Sequence, residues 1–496
     1  MVMTRRAVVA TGMALVLCAA TGCTSSKDPQ PVSLERGPAI DLPPRPKRAE
    51  RVLQQCKGVR VRPDADLHAV IADNPEGTTF CLPTRTYRIT QPLVPKRGQR
   101  LIGRPGTVIS GARLITSWEK AGDRVWVASG QTQQTPPSAK GFPSLADSSV
   151  RRNEDVFMDD RPLQPVLSRD DLRPGTFYFD FTADQIYIAD APSSHRIEAA
   201  VAPTLIQGEA DDVVIKGLVL EKAAGFGIQA KGTARWRIAH NEVRLNHQIG
   251  VCSGPSSRVL DNFVHHQGQM GLCGSGKNIV VDGNEVAFNN LAGYRTADGG
   301  CWDAGGAKWV FTVGLRIADN YVHDNRCHGL WTDINNINTV YEHNWVVDNA
   351  GHGIFHEISY DAVLRRNVLQ GNELSGAAVA SSPNVLITRN VVRGNGDGIV
   401  IFQQGDRGNG LYGPHHARNI DVTHNVIVMN EGHTGAVLHG GYAQVVASRR
   451  NRFARNMYYL QEASATYWAW EGRLLTREQW TSEGHDKSGR FYQAEQ

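Results

Sequence analysis

From residue 241 onward the chain repeats one short phrase: an asparagine, a second asparagine five residues on, then a glycine. It occurs at Asn241/Asn246 with Gly250, Asn284/Asn289 with Gly293, Asn320/Asn325 with Gly329 and Asn344/Asn349 with Gly353. Further copies open at Asn367, Asn390 and Asn425 with partners Asn372, Asn395 and Asn430, while Asn262 opens one with Gln267 in the second place. Successive first asparagines are 21, 22, 36, 24, 23, 23 and 35 residues apart. Of 27 asparagines, 25 fall within residues 201–460, so the phrase accounts for where this residue is used. A repeat of this length, with short β-branched stretches between Asn/Gly corners, describes a solenoid whose stacked rungs bury one long core. Leucine-rich repeats share the length, but their leucine pattern is absent. A propeller blade needs about 40 residues. The expectation is an all-β parallel β-helix, with corner asparagines that adopt left-handed backbone and bond to the next rung as a ladder.

The N-x-V-x-x-N…G-I phrase resembles the right-handed parallel β-helix proteins of the pectate-lyase-like superfamily, over roughly residues 50–115 and 200–460. The resemblance implies an N-terminal cap and first rungs over 51–115, around Leu67, Ala69, Val70 and Ile71 and then Gly77-Thr78-Thr79-Phe80 through Leu101-Ile102-Gly103. Residues 116–200 lack the phrase and carry Trp118, Trp126, Phe177, Tyr178 and Tyr187 among alternating stretches, which marks a β-rich insertion. The main helix spans 201–460. A C-terminal cap over 461–496 holds Trp468, Trp470, Trp480 and a helix starting near Thr476, closing an end that would otherwise expose strand edges.

The first residues read as an address. Arg5 and Arg6 precede an apolar stretch from Ala7 to Thr21 that closes on Ala20-Thr21-Gly22-Cys23. That stretch is short for a membrane span and has the flanks of a secretory signal. Its ending resembles the lipobox of bacterial lipoproteins, which implies a signal peptide over 1–23 and lipidation at Cys23. Residues 24–50, rich in Ser, Pro and Lys, read as a flexible tether. The protein is therefore expected to be exported and lipid-anchored on the extracellular face, acting as a monomer. A net charge of +4 over 496 residues argues against a nucleic-acid partner.

Export makes disulfides available. Counted from the rung glycines, Cys252 and Cys273 hold one position on adjacent rungs, about 4.8 Å apart, within disulfide reach. They are expected to be bonded, with Cys56–Cys81 and Cys301–Cys327 as further candidate pairs.

The same count puts Asp333 four residues after Gly329 and Glu357 four after Gly353, one rung apart. Trp331 and Phe355 lie two residues earlier on the same strand face. The 36-residue gap adds about 14 residues over the regular spacing between Gly293 and Asn320, carrying Asp298, Trp302, Asp303 and Lys308. The 35-residue gap adds Gln403, Gln404, Asp406, Arg407, Tyr412, His415 and His416 as a second wall. Stacked carboxylates repel, so one should hold its proton beside an ionised partner, the arrangement of a glycosidase. The expected catalytic set is Asp303, Asp333 and Glu357 with His356. Trp302, Trp331 and Phe355 would stack on sugar, and Asn335, Asn336 and Tyr360 would bind hydroxyls.

Three further readings remain open. One is a polysaccharide lyase with Lys308 as base and calcium held by Asp298, Asp303, Asp333 and Glu357. "DGGCWDAGGAK" resembles a segment of some β-helix lyases, although Cys327-His328 stands where their next paired aspartates would be. A uronan epimerase is another. The third is a non-catalytic carbohydrate-binding surface protein. The glycoside hydrolase reading needs no cofactor and a polysaccharide substrate.

Overall fold

Each copy of the phrase folds into one rung of three short strands. Arg316–Ala318, Tyr321–His323 and His328–Thr332 make one; Thr339–Glu342, Trp345–Val347 and Ile354–Glu357 make the next. The rungs stack in register, Ile317 on Tyr341, Val322 on Val346 and Leu330 on Ile354, with all three pairs parallel. Repetition builds three long sheets of 13, 12 and 13 strands among the described residues. Their inward side chains, mostly Val, Ile and Leu, form one continuous core. The computed structural model describes residues 34–47, 56–134, 154–296, 299–436 and 449–494, all within the unit Leu34–Gln496. Cys23 and Asp298 lie outside the described residues.

The corners differ from expectation in one respect. The residue before each ladder asparagine is the left-handed one: His240, Asp261, Asp319, His343 and Arg366 have φ of 53–55°. The asparagine itself points inward and is buried. Asn284 N and Nδ2 both donate to Asn320 Oδ1, at 2.9 and 3.0 Å, and Nδ2 also donates to Val259 O at 2.9 Å. Each asparagine so satisfies corner groups that a buried turn would otherwise strand. The ladder runs on through Asn320, Asn344, Asn367, Asn390 and Asn425 to Asn456. It ends on Asp486, whose carboxylate accepts from Asn456 N and Nδ2 and from Tyr458 Oη. An acceptor-only side chain suits the last position, where there is no next rung to donate to. A second ladder starts at Asn246 and passes through Gln267 and Asn289 to Asn395. Asn430 is exposed and takes no part in it.

The recurring glycine is a packing requirement. A Cβ on Gly329 would lie 2.5 Å from Val346 Cγ1 and 3.0 Å from Asn349 Nδ2, and one on Gly376 would meet Val392 and Asn395 as closely. Only glycine lets the chain pass between a ladder asparagine and the core.

The described residues within 112–200 form two sheets, antiparallel except for the parallel pair of Gln164–Val166 with Thr176–Asp180, around their own apolar cluster. Fully buried Lys222 of the helix binds Glu198 and Asp160 there, and Arg88 reaches Glu198 at 2.6 Å. At the N-terminal end a helix, Leu67–Asp73, buries Leu67 and Ile71. At the other end, Trp468 and Trp480 are fully buried and a capped helix runs Arg477–Ser482 with Thr476 as N-cap. The described part of the expected tether is not free. Glu35 O accepts from Gln493 N at 2.9 Å, Pro38 O from Tyr459 Oη at 2.6 Å, and Arg45 sits 4.5 Å over the Tyr321 ring. Its prolines favour an extended chain that presents carbonyls and guanidinium groups to the third sheet.

Candidate active site

The 12-stranded sheet carries the site. Its relevant strands are β1 (Ile249–Ser253), β2 (Met270–Lys277), β3 (Gly305–Val313), β4 (His328–Thr332), β5 (Ile354–Glu357), β6 (Ser375–Ala380) and β7 (Asp397–Phe402). Register aligns one outward row: Cys252, Cys273, Lys308, Trp331, Phe355, Ala378 and Val400. Asp333, just beyond β4, Glu357, Ala380 and Phe402 fall two residues further on. Cys252 and Cys273 are bonded across β1 and β2 with Cα atoms 4.4 Å apart; Cys56–Cys81 and Cys301–Cys327 are bonded too.

Lys308 joins this row because the register glycine of its rung is Gly306. Gly306 abuts Gly329, whereas Gly293 lies in the preceding loop with φ of 77°. The extra residues therefore sit before β3, ending in Asp303. Lys308 Nζ binds Asp303 Oδ1, lies 2.8 Å from Asp333 Oδ2 and stands 3.6 Å above the Trp331 ring. Burial pulls the Lys308 ammonium down, but Asp303 and Asp333 outweigh it, so its pKa is raised. It is a clamp that keeps its proton.

Glu357 is nearly buried and accepts from Trp331 Nε1 at 3.1 Å. Burial, then the neighbouring Asp333 charge, push its carboxyl up to about 7 against a Gln404 hydrogen bond and the charges of Lys308 and Arg407. Asp333 Oδ2 meets Lys308, while Asp333 Oδ1 is buried with no hydrogen-bond partner. Trp331 and Phe355 stack at 5.7 Å and 21°, and Phe402 continues the row at 6.2 Å from Phe355. With Ala378, Ala380 and Val400 these rings make an apolar cluster on the outer face of the sheet. They form a floor under the carboxylates rather than free stacking faces, since Trp331 and Phe355 are themselves nearly buried. Phe402 could have been found by the count that located Asp333, four residues after its rung glycine Gly398.

Four expected site residues do other work. His356 follows Phe355 by one residue and so points into the core, where its Nδ1 meets Thr332 Oγ1 at 2.7 Å. Burial lowers its pKa to about 3. Asn336 is fully buried and binds Thr312, Asp333 O and Ser359 in a third, shorter ladder. Asn335 Oδ1 accepts from Leu411 N at 2.8 Å. Tyr360 Oη donates to Gly413 O at 2.7 Å. The last two thus hold a hairpin, Asn409–Gly410 against Gly413–Pro414, that folds back from β7 across two earlier rungs. Gly410 is required there, because a Cβ would overlap His415 Nε2 and Asn335 Oδ1.

The opposite wall is the loop ending at Asp303, braced by Cys301–Cys327. Trp302 spends one face there on Tyr294, 5.8 Å away and 13° from parallel. Beside it His328 accepts from His352 N at 3.0 Å and stacks on the His352 ring. Burial, His352 and Lys308 hold His328 well below the usual range, so it is neutral. Among the described residues no group of three or more His, Cys, Asp or Glu is arranged to hold a metal ion. The nearest set of carboxylates is already bridged by Lys308.

Residues 226–392 match the family model described as the right handed beta helix region. Among solved structures the chain is similar to XylC, solved with xylose, at 15% identity over 79% of this chain and 80% of that one, with a TM-score of 0.60. It is also similar to the A-module of the Azotobacter vinelandii mannuronan C-5 epimerase AlgE4, at 14% identity over 79% of this chain and 90% of that one, TM-score 0.42. No curated protein matches the chain. The family match, the likeness to XylC and the strand topology agree, and the chain folds as a right-handed parallel β-helix.

Proposed function

We propose that this protein is a glycoside hydrolase acting on a polysaccharide, with Glu357 as proton donor and Asp333 as the second carboxyl of the pair. The observation that carries the reading is the unlike surroundings of two carboxyls on neighbouring rungs. Glu357 is pushed up to about 7 and so holds its proton below neutral pH, while the Lys308 ammonium faces Asp333 Oδ2 at 2.8 Å. Pairs whose environments separate their protonation states are what acid–base glycosidic cleavage needs. Glu357 would protonate the leaving oxygen. Asp333, one rung away, would attack the anomeric carbon, the route that suits carboxyls about 5–5.5 Å apart. Water would then release the sugar, with Glu357 taking its proton back.

Elimination and C-5 epimerisation through Lys308 need that amine to lose its proton, and its two carboxylate partners oppose this. Arg5-Arg6, the apolar stretch and Cys23 support export and lipid anchoring, which would set the substrate outside the cell. Cys23→Ala should then release the protein from the membrane fraction. Incubation with a glycan panel tests the chemistry: new reducing ends without the ultraviolet absorbance of an unsaturated uronate mean hydrolysis. That absorbance would mean elimination, and binding without product a non-catalytic role. If Asp333→Asn and Glu357→Gln both leave turnover intact, the assignment fails.

A further inference from the structure

The insertion and the helix share a cavity of about 160 Å³. Asp155, Phe157 and Gln164 of the insertion form one wall, and Leu245, His266 and Leu291 of the helix form the other. The cavity lies at the corner ahead of β1 and β2, whereas Asp333 follows β4 and Glu357 ends β5. Lys222, bound to Glu198 and Asp160, holds the insertion to the helix beside it. Gln164 is exposed, so the cavity has an open rim.

Phe157, Leu245 and Leu291 belong to one apolar cluster that bridges the two walls. The polar groups are acceptors. Both nitrogens of His247 are engaged, Nδ1 donating to Asp155 Oδ2 at 3.0 Å and Nε2 meeting Tyr294 Oη at 3.3 Å. Asp155 Oδ1 is left over. A carboxylate only accepts, so His265 Nε2 donates to Glu242 Oε1 at 3.4 Å. A neutral imidazole carries one N–H, so His265 Nδ1 then accepts from His266 Nδ1 at 2.6 Å. That leaves His266 Nε2 as a lone-pair acceptor. Burial, the chief cause, lowers the His266 pKa to about 4, which keeps the ring neutral.

A cavity of about 150 Å³ takes one six-membered ring. Acceptors on the walls call for a ligand that brings donors, and the apolar bridge calls for a ligand with a C–H face. We propose that the cavity between the insertion and the helix is a second carbohydrate-binding site, which takes one pyranose residue. Its hydroxyls donate to Asp155 Oδ1 and His266 Nε2 while its C–H face packs on Leu245 and Leu291. Gln164 at the rim offers a further amide. The site is independent of the reaction at Glu357 and gives the insertion a role in holding glycan. Tyr294 stands between the two sites, since its Oη meets His247 and its ring stacks on Trp302 beside Asp303.

Saturation-transfer NMR on the full-length protein tests this, with the methyl glycosides of xylose, glucose, galactose and glucuronic acid as probes. At least one should bind. His266→Phe keeps a ring against Phe288 but removes the acceptor, and should raise the dissociation constant about tenfold. Gln164→Trp, at an exposed position that leaves the buried walls intact, should fill the mouth and weaken binding by as much. The matching disaccharides separate a free sugar, which binds better alone, from a residue within a chain, which binds equally or better in the disaccharide. Either result supports the site when both variants weaken it. Failure of all four glycosides to bind overturns the inference, and so does binding that neither variant weakens. Both outcomes leave the hydrolase reading standing, because reducing ends released from the glycan panel decide that reading separately.

Discussion

Replacing Glu357 by glutamine should make the folded protein more stable at alkaline pH while removing its proton donor. The magnitude follows from the carboxyl's displacement from 4.5 to about 7. At 1.36 kcal/mol per pKa unit, ionising this group in the fold costs about 3 kcal/mol more than in the unfolded chain. Because the folded state binds the proton more tightly, wild-type stability is highest below about pH 4.5 with respect to this group. It is lost progressively as pH rises to about 7 and stays lost above. Glutamine never ionises, and its Oε1 can still accept from Trp331 Nε1. Any difference in packing between the two side chains is the same at every pH. The difference in unfolding free energy, Glu357→Gln minus wild type, should therefore climb by about 3 kcal/mol between pH 4 and pH 8. Denaturant unfolding followed by tryptophan fluorescence measures it, and titrating groups remote from Glu357 cancel in the difference. A difference that stays flat, or falls with pH, refutes the argument that Glu357 is held neutral by burial and Asp333. No substrate needs to be known for this test.

The same group predicts that hydrolysis declines as pH rises through about 7, since the donor must be protonated; a rate unchanged to pH 9 would contradict its role. Asn344→Ala removes the acceptor for Asn320 N and Nδ2 and the donor to Ile317 O and Asn367 Oδ1. Two buried backbone groups lose a partner, so unfolding should become easier by about 3 kcal/mol, read from denaturant midpoints, whereas a loss under about 1 kcal/mol would show the ladder to be ornamental. Gly410→Ala should push the hairpin off Asn335 and His415 and lower kcat/KM by tenfold or more, about 1.4 kcal/mol, with little change in unfolding midpoint. Equal activity would mean the hairpin does not wall the site.

The fold was legible because a solenoid writes its constraints locally. Each rung meets only its neighbours, so the same demands recur every 21–24 residues. An asparagine must satisfy the corner, a glycine must pass it, and alternate residues must face out. That count stacks Asp333 beside Glu357 and Cys252 beside Cys273. Strict alternation also places His356 inside, directly opposite in sense to its neighbours Phe355 and Glu357.

Other features lay beyond it. The 36-residue gap could be measured in sequence, but which glycine resumed the register was settled by how Gly306 abuts Gly329, and this moved Lys308 into the outward row beside Trp331. Asn335 and Tyr360 read as hydroxyl binders because nothing local tells that a hairpin from 76 and 53 residues away lands on them. The protonation states are further still from the sequence. They depend on how deeply Glu357 is buried and on the Lys308 charge beside Asp333, both products of packing between distant segments. What the sequence by itself determined was the repeating scaffold and which residues line its outer face. The tertiary structure alone decided which of them share a low-dielectric space, because burial and charge act through distance in space rather than along the chain.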